Sequence, residues 1–265
     1  VRGLMPIIYG GTKITFPDGT LLSSGVIPGM IFGLTLATAG SSATFGIAAG
    51  RATDSTFMDT MVLASAYTKT TSAWAVGSGN GAMDTGTVAN STWYHVYLIK
   101  NISANIVDVI FSTSASSPTL PSGYTIFRRI GSMQTNGSAQ WATFLQFGDY
   151  FYRASVGDFT IGGTSTQTLR TLSVPTGIVV VPLITFSGNG TNNTFTAIYI
   201  ASPSASSLII LGFIIYNGAV TGVSVTDNQQ GVPTNTSAQI YVTVTSYSNG
   251  ATLTTNGWID RRGKD

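Results

Sequence analysis

The chain has 265 residues, of which 43% are hydrophobic and only 8% are charged, and it contains 29 Ser, 39 Thr, ten Asp, no Glu and no Cys. Because an average soluble domain is about 25% charged, this scarcity of Glu and Lys excludes a helical bundle or coiled coil, while the apolar fraction excludes a disordered tail. The net charge of +2, without a clustered basic face, argues against nucleic-acid binding, and the lack of cysteine excludes disulfides and thiolate chemistry.

Residues 1–30 are predicted to form a short N-terminal connecting segment with a hairpin-like turn at Pro17, Asp18 and Gly19. Residues 31–148 are predicted to form a first β-sandwich module, in which β-branched and aromatic runs indicate strands over 92–100 and 107–113. Asn-Gly pairs such as Asn136-Gly137 supply the positive φ angles of tight hairpin turns. One short helix is predicted within 64–73.

Residues 149–168 are rich in Gly and Thr and are predicted to be a linker to a second β-sandwich module over 169–265. In this module strands are expected over 195–201, 208–216 and 240–247, and polar and apolar residues alternate along 241–245 as in a half-buried strand. The most apolar runs, 178–186 and 208–216, are far shorter than the roughly 20 residues of a membrane-spanning helix, so no membrane insertion is expected. The sequence therefore predicts an all-β fold of two β-sandwich, jelly-roll-like modules.

His95 is the only histidine, and it lies within a predicted strand. A Ser-His-Asp triad would have to use it, and a histidine-based metal site would need further ligands that the sequence does not supply. We therefore expect a structural, hydrogen-bonded His95, with no metal and no cofactor. The Arg128-Arg129 and Arg261-Arg262 doublets are local features and form no basic stripe.

A glycoside hydrolase needs two facing carboxylates. The candidate pairs are Asp54 with Asp59 and Asp149 with Asp158, but their spacing singles out neither, and Asp54 is expected to cap a turn. No residue is therefore predicted to be catalytic.

Aromatic residues are a more informative set, because an exposed ring beside polar side chains stacks on a sugar while its neighbours bind the hydroxyls. They are concentrated in and just after the first module, at Trp74, Trp93, Tyr94, Tyr97, Trp141, Phe147, Tyr150, Phe151 and Tyr152. The candidate ligand-contacting residues, expected on loops at one end of a module, are Asn80, Asn136 and Trp141.

Several segments, taken in order and spacing, resemble a known family. They are residues 47–56, 63–66, 68–69, 73–77, 84–86, 92–96, 107–114, 120–124, 128–132 and the closing 257–265. Together they resemble tail-fibre or tail-associated virion proteins of tailed bacteriophages and prophages, a family common in alphaproteobacterial genomes. The resemblance extends over nearly the whole chain from about residue 31 and includes no catalytic motif.

The resemblance implies a bacteriophage structural protein, a tail-fibre or spike component that attaches to a host-surface glycan or protein through multivalent binding. Its location would be the virion, assembled in the bacterial cytoplasm, and its partners would be other tail or head proteins and further copies of itself in a homotrimer. Two alternatives stay open: a virion-associated glycan depolymerase or esterase, and a head decoration or capsid fibre protein.

Overall fold

The computed structural model describes residues 8–10, 13–15, 21–22, 26–161, 165–188, 195–205, 211–216, 223–226, 231–245 and 251–264. This part of the chain is all-β apart from one 3-10 turn, Pro203–Ala205. Four of the described sheets pair face to face, two around each of two hydrophobic cores, which confirms the predicted class of β-sandwich modules.

The first module packs a three-stranded sheet, in the order β4-β7-β8, against a seven-stranded sheet, in the order β13-β11-β12-β10-β9-β6-β5. These strands are β4 (Ile31–Gly33), β5 (Leu36–Ala37), β6 (Thr44–Ile47), β7 (Gly50–Thr53), β8 (Thr60–Leu63), β9 (Tyr67–Ala73), β10 (Gly81–Met83), β11 (Trp93–Asn101), β12 (Ile106–Ser112) and β13 (Ile126–Gln134).

Strands β11 and β12 confirm the predictions over 92–100 and 107–113. β11 lies between β13 and β12 in the sheet and is buried on both faces. Tyr94, Val96 and Leu98 face the main core of the module, whereas Tyr97 and Ile99 face a smaller cluster on the other side. Burial on both faces explains why the segment reads as a continuous apolar run instead of an alternating one.

The helix predicted within 64–73 is wrong, because this segment forms β9. Its five central residues carry three threonines, whose branched Cβ atoms restrict χ1 and suit a pleated surface. β9 pairs antiparallel with β6 and parallel with β10, so tertiary pairing fixes it as a strand.

The second module starts earlier than the predicted residue 169, because β14 and β15 belong to its sheet. It packs a five-stranded sheet, in the order β14-β15-β22-β17-β20, against a four-stranded sheet, in the order β16-β21-β18-β19. The strands are β14 (Phe144–Phe147), β15 (Tyr150–Ile161), β16 (Ser165–Thr171), β17 (Val181–Gly188), β18 (Phe195–Ala201), β19 (Leu211–Tyr216), β20 (Val223–Thr226), β21 (Gln239–Thr245) and β22 (Ala251–Ile259). β18, β19 and β21 correspond to the strands predicted over 195–201, 208–216 and 240–247; residues 208–210 and 246–247 lie outside the described residues.

The structure contradicts the linker predicted over 149–168. Residues 150–161 form β15, the longest strand described, which pairs with β14 on one side and β22 on the other. Glycine and threonine there reflect an irregular strand, with register shifts around residues 152–159, and do not mark a flexible connection.

The two modules meet across a packed boundary. Trp93 of β11 contacts Trp258 of β22 edge to face, with ring centroids 5.1 Å apart. Phe144 packs against the cores of both modules. At Gly131 an added Cβ would lie 2.7 Å from Leu36 Cδ1 and 3.2 Å from Phe151 Cζ, so the close approach needs glycine. The second module is thus held directly against the first.

The N-terminal region contains a three-stranded antiparallel sheet of β1 (Ile8–Gly10), β2 (Lys13–Thr15) and β3 (Leu21–Leu22). The predicted turn at Pro17, Asp18 and Gly19 lies outside the described residues, between the paired strands β2 and β3. Among the residues that the structure describes, no helix has the length and apolar character needed to cross a bilayer.

Candidate functional site

On the outer face of the five-stranded sheet, the described residues include four exposed apolar side chains, which we call the aromatic patch: Leu145, Phe147, Tyr150 and Tyr152. Their exposed fractions are 65%, 76%, 41% and 39%. The β14–β15 pairing sets Leu145 opposite Tyr152 and Phe147 opposite Tyr150, so all four share one face. Strand alternation turns the intervening Gln146 and Phe151 inward, where they are buried.

The β14–β15 hairpin that carries the aromatic patch is held in place by contacts of its inward-facing residues. The backbone N–H of Leu36 in the first module donates to Gln146 Oε1 at 2.7 Å, and Gln146 Nε2 donates to the carbonyl of Gly148 at 3.0 Å. Phe151 stacks on Trp258 with a centroid distance of 5.2 Å and an interplanar angle of 6°. The patch therefore sits on a packed support that holds its backbone in place.

The two tyrosines of the patch are oriented alike. Their ring centroids are 6.2 Å apart and their planes differ by 13°. Tyr152 is paired with Gly257, where a Cβ would lie 2.1 Å from the carbonyl oxygen of Phe151. At this position the neighbouring strand β22 therefore has no side chain, and the side of the aromatic patch that faces β22 is uncovered.

The same face continues into a row of hydroxyl and amide groups, the polar strip: Ser155, Thr160, Thr185, Thr252 and Asn256. Ser155 Oγ donates to Asn256 Oδ1 at 2.7 Å, and Asn256 Nδ2 donates to Thr185 Oγ1 at 2.6 Å. Thr160 and Thr252 are hydrogen-bonded across β15 and β22 at 3.1 Å.

The chemistry of this face is that of a surface contact. Aromatic rings with an apolar body and a polar tip pack against the C–H faces of a ligand while neighbouring hydroxyl and amide groups exchange hydrogen bonds. An open sheet face has no walls that would enclose a small molecule. Its flat surface instead suits an extended chain, such as a polysaccharide, that lies along it.

Trp141, one of the three sequence-predicted contact residues, has no exposed surface. Its ring packs edge to face against Phe111 at 4.9 Å and Phe45 at 5.4 Å, within the core of the first module. Buried in this way, Trp141 stabilises the fold and offers no surface to a ligand.

Asn80 and Asn136 lie on two different loops and serve their own turns. Asn80 is exposed, and its side-chain amide donates to the carbonyl of Val76 at 2.7 Å. Asn136 Oδ1 accepts the backbone N–H groups of Ser138 and Gln140 at 2.8 and 3.1 Å. Both asparagines therefore shape loops.

A buried ion pair organises the loop that carries Asn80. Lys69 and Asp108 have fully buried side chains whose charged atoms lie 2.9 Å apart. Lys69 Nζ also donates to the carbonyls of Ala75 and Gly77, and Asp108 accepts the N–H of Gly77 at 2.8 Å. Next to this loop is an open groove of about 310 Å³, whose lining includes Trp74, Asp84, Thr85, Thr119, Leu120 and Pro121.

His95 lies at the module boundary, within reach of a serine and an aspartate. Its Nδ1 is 2.9 Å from Ser132 Oγ. Arg129 stands between Ser132 and Asp260, however, and His95, Ser132 and Asp260 are all buried, so the Ser132 hydroxyl is not presented at the surface. Burial and the nearby Arg129 lower the pKa of His95 to about 4, which keeps the ring neutral at neutral pH.

The first pair of carboxylates considered for hydrolysis has structural contacts. Asp54 accepts the N–H groups of Thr56, Met58 and Asp59, which confirms that it caps a turn. Burial alone would raise its pKa, but these hydrogen bonds and that of the Thr56 hydroxyl hold the pKa below its ordinary value. Asp59 pairs with Lys100 at 2.6 Å.

The second pair is far apart. Asp149 binds Arg262 and Lys264, whereas Asp158 accepts the N–H of Ser173 and the hydroxyl of Thr255. The two aspartates lie near opposite ends of β15, roughly 25 to 30 Å apart at about 3.3 Å per residue. Facing catalytic carboxylates are about 5 to 10 Å apart, so this pair does not form such a site.

Within the described residues, no group of three or more His, Asp or Glu side chains is placed to hold a metal ion.

The aromatic patch was not among the contact residues predicted from the sequence. Phe147, Tyr150 and Tyr152 were noted only as members of the larger set of aromatic residues. The alternation of apolar Leu145 and Phe147 with polar Gln146 was the sequence pattern that could have indicated an exposed apolar face.

No protein-family model, curated protein or solved structure matches the chain.

Proposed function

We propose that the chain is an attachment component of a tailed-bacteriophage particle, and that it binds a polysaccharide of the host surface through the aromatic patch. The observation that carries the proposal is the set of four apolar side chains on one rigid sheet face beside the polar strip. Monomeric proteins seldom expose large contiguous apolar patches unless the patch binds something. The virion assignment is supported by the sequence resemblance and by a hydroxyl-rich, weakly charged all-β composition.

Attachment of this kind depends on several copies of the chain binding the same surface polymer at once. One flat face with a few aromatic contacts gives modest affinity, but several copies on one particle raise avidity by about 10²- to 10⁴-fold when they engage one polymer together. Assembly as a homotrimer alongside other tail or head proteins belongs to the same proposal. Sedimentation of the purified chain should give the mass of three chains, and a monomer at micromolar concentration would contradict the trimer.

The first prediction is that Tyr150→Ser combined with Tyr152→Ser weakens binding at least tenfold on an array of bacterial lipopolysaccharides and capsular polysaccharides. Loss of about 1.4 kcal/mol corresponds to that factor, and central aromatic contacts often exceed it. The matched control is Phe32→Ser, because Phe32 is 69% exposed on the small sheet of the first module, away from the patch.

Four results would contradict the proposal or redirect it. Equal loss in the control and the double variant would deny the patch a specific role. Unchanged binding in the double variant but loss on Leu120→Ser would move the contact to the groove beside Asn80. Release of reducing sugar ends by the wild-type chain would favour the depolymerase alternative. If no polysaccharide binds, head decoration without attachment becomes the better assignment.

A further inference from the structure

A chain of hydrogen bonds crosses the boundary between the two modules. Asp260, just after β22, holds both terminal nitrogens of Arg129 on β13, at 2.5 and 2.8 Å. Arg129 Nη1 is 3.4 Å from Ser132 Oγ, and Ser132 Oγ is 2.9 Å from His95 Nδ1. On its other side His95 is hydrogen-bonded to the backbone of Thr176, between β16 and β17 of the second module.

The direction of each bond follows from its partners. The carbonyl of Thr176 only accepts, so the ring nitrogen facing it carries the hydrogen. This nitrogen is Nε2, because an added Cβ at the adjoining Gly177 would lie 3.6 Å from it. Nδ1 of the neutral ring is therefore an acceptor, and the Ser132 hydroxyl donates to it while accepting from Arg129.

Among the residues that the structure describes, no acidic group is free to compensate a second proton on this ring. The charged side chains that face His95 are Arg129 on β13 and Asp260 after β22, and these two are already paired with each other. On its own strand, Tyr97 lies on the same face as His95 and its hydroxyl donates to the carbonyl of Ser114, whereas Tyr94 and Lys100 alternate to the opposite face. From the second module the ring meets the backbone of Thr176 and Gly177.

We propose that His95 is an acid-sensitive contact between the two modules, and that a proton taken up at Nδ1 releases the segment around Thr176 and the C-terminal residues 260–264 from the first module. The proton removes the acceptor for Ser132 and sets a second cation beside Arg129. Because the ring is buried, the imidazolium is hydrated only if the covering segment moves away. The C-terminal residues follow, since Asp260 is bound to the arginine that the imidazolium repels.

The sign of the effect follows from linkage. Burial and Arg129 lower the pKa of His95 from 6.5 to about 4 in the closed state. An open, hydrated histidine titrates near its ordinary value, so the open state binds more protons between pH 6.5 and 4. Opening therefore becomes easier as the pH falls through this window, by about 50-fold between pH 7 and 4.5.

Two measurements on the wild-type chain test the proposal. The ring C2 proton of the only histidine gives an unambiguous NMR titration, and a pKa near 4 is expected. Amide hydrogen exchange, corrected for the intrinsic pH dependence, should rise at least tenfold in 172–180 and 259–264 from pH 7 to 4.5. Strands β11 and β12 at the centre of the first module should not change.

The matched variant is His95→Gln, which keeps a donor toward Thr176 and does not titrate. Its exchange in the two segments should be independent of pH over the same range. A pKa of 6 or above in the wild type would overturn the proposal, as would an equal rise in the variant. Should His95→Gln fail to fold, the NMR titration and the wild-type exchange together still decide the matter.

Discussion

At the scale of single residues, the buried Lys69–Asp108 pair shows how charged groups are accommodated in the core of the first module. Two opposite charges without solvent contact are costly unless every remaining donor and acceptor is satisfied. Here the lysine has two carbonyl partners and the aspartate has two N–H partners. The pair therefore fixes the 75–80 loop as well as its own strands.

Removing one charge of this pair should be more damaging than removing both. We expect Lys69→Met to lower the free energy of unfolding by about 3–5 kcal/mol, because Asp108 would stay buried and uncompensated. Lys69→Met combined with Asp108→Leu should recover a large part of the loss. Urea denaturation measures both, and a loss below about 1 kcal/mol in the single variant would show that water reaches Asp108.

At the scale of secondary-structure elements, strand alternation decides which aromatic residues pack and which are exposed. Trp141 bridges the backbone of Ser42 and Thr135, and its ring fills the core. Phe147, six residues later, lies on the outer face of an edge strand. Similar residues thus have opposite roles because of the element that carries them.

The corresponding prediction compares these two positions. Trp141→Ala should cost about 3–5 kcal/mol of unfolding free energy, since the cavity left between Phe45 and Phe111 has little to fill it. Phe147→Ala should change stability by no more than about 0.5 kcal/mol. Equal effects in thermal or urea unfolding would mean that Phe147 is covered by another chain in solution.

The sequence was sufficient for elements whose signal is local. β11, β12 and β21 have β-branched and aromatic runs that few other structures accommodate. The sequence was insufficient where pairing with a neighbouring strand decides the secondary structure of a segment or the exposure of a side chain. The short Ala- and Thr-containing stretch at 64–73 suits helix or strand until β6 and β10 pair with it, and the exposure of Tyr150 depends on its pairing with Phe147. A linker and an irregular strand share the same Gly and Thr content.

At the scale of the whole molecule, the two arginine doublets meet at the module boundary. Arg129 binds Asp260, and Arg128 donates to the carbonyl of Gly263. Arg262 binds Asp149, at the start of β15. The C-terminal residues 260–264 therefore act as a strap that ties the last strand to the first module.

With this strap and the shared tryptophan contact, the two modules should unfold together at pH 7. Calorimetry should show one transition over the described modules, with equal calorimetric and van't Hoff enthalpies. Arg129→Leu leaves Asp260 buried without its partner and should lower the midpoint of that single transition. Two separate transitions in the wild type would show that the boundary contributes little.

The edge-to-face contact of Trp93 and Trp258 has a spectroscopic consequence. Two indoles held 5.1 Å apart at 90° have coupled electronic transitions, which give a paired, oppositely signed signal in circular dichroism. One ring belongs to each module, so the couplet depends on their docking and requires no label. Its loss while the backbone signal persists would mark the moment when the two halves of the molecule part.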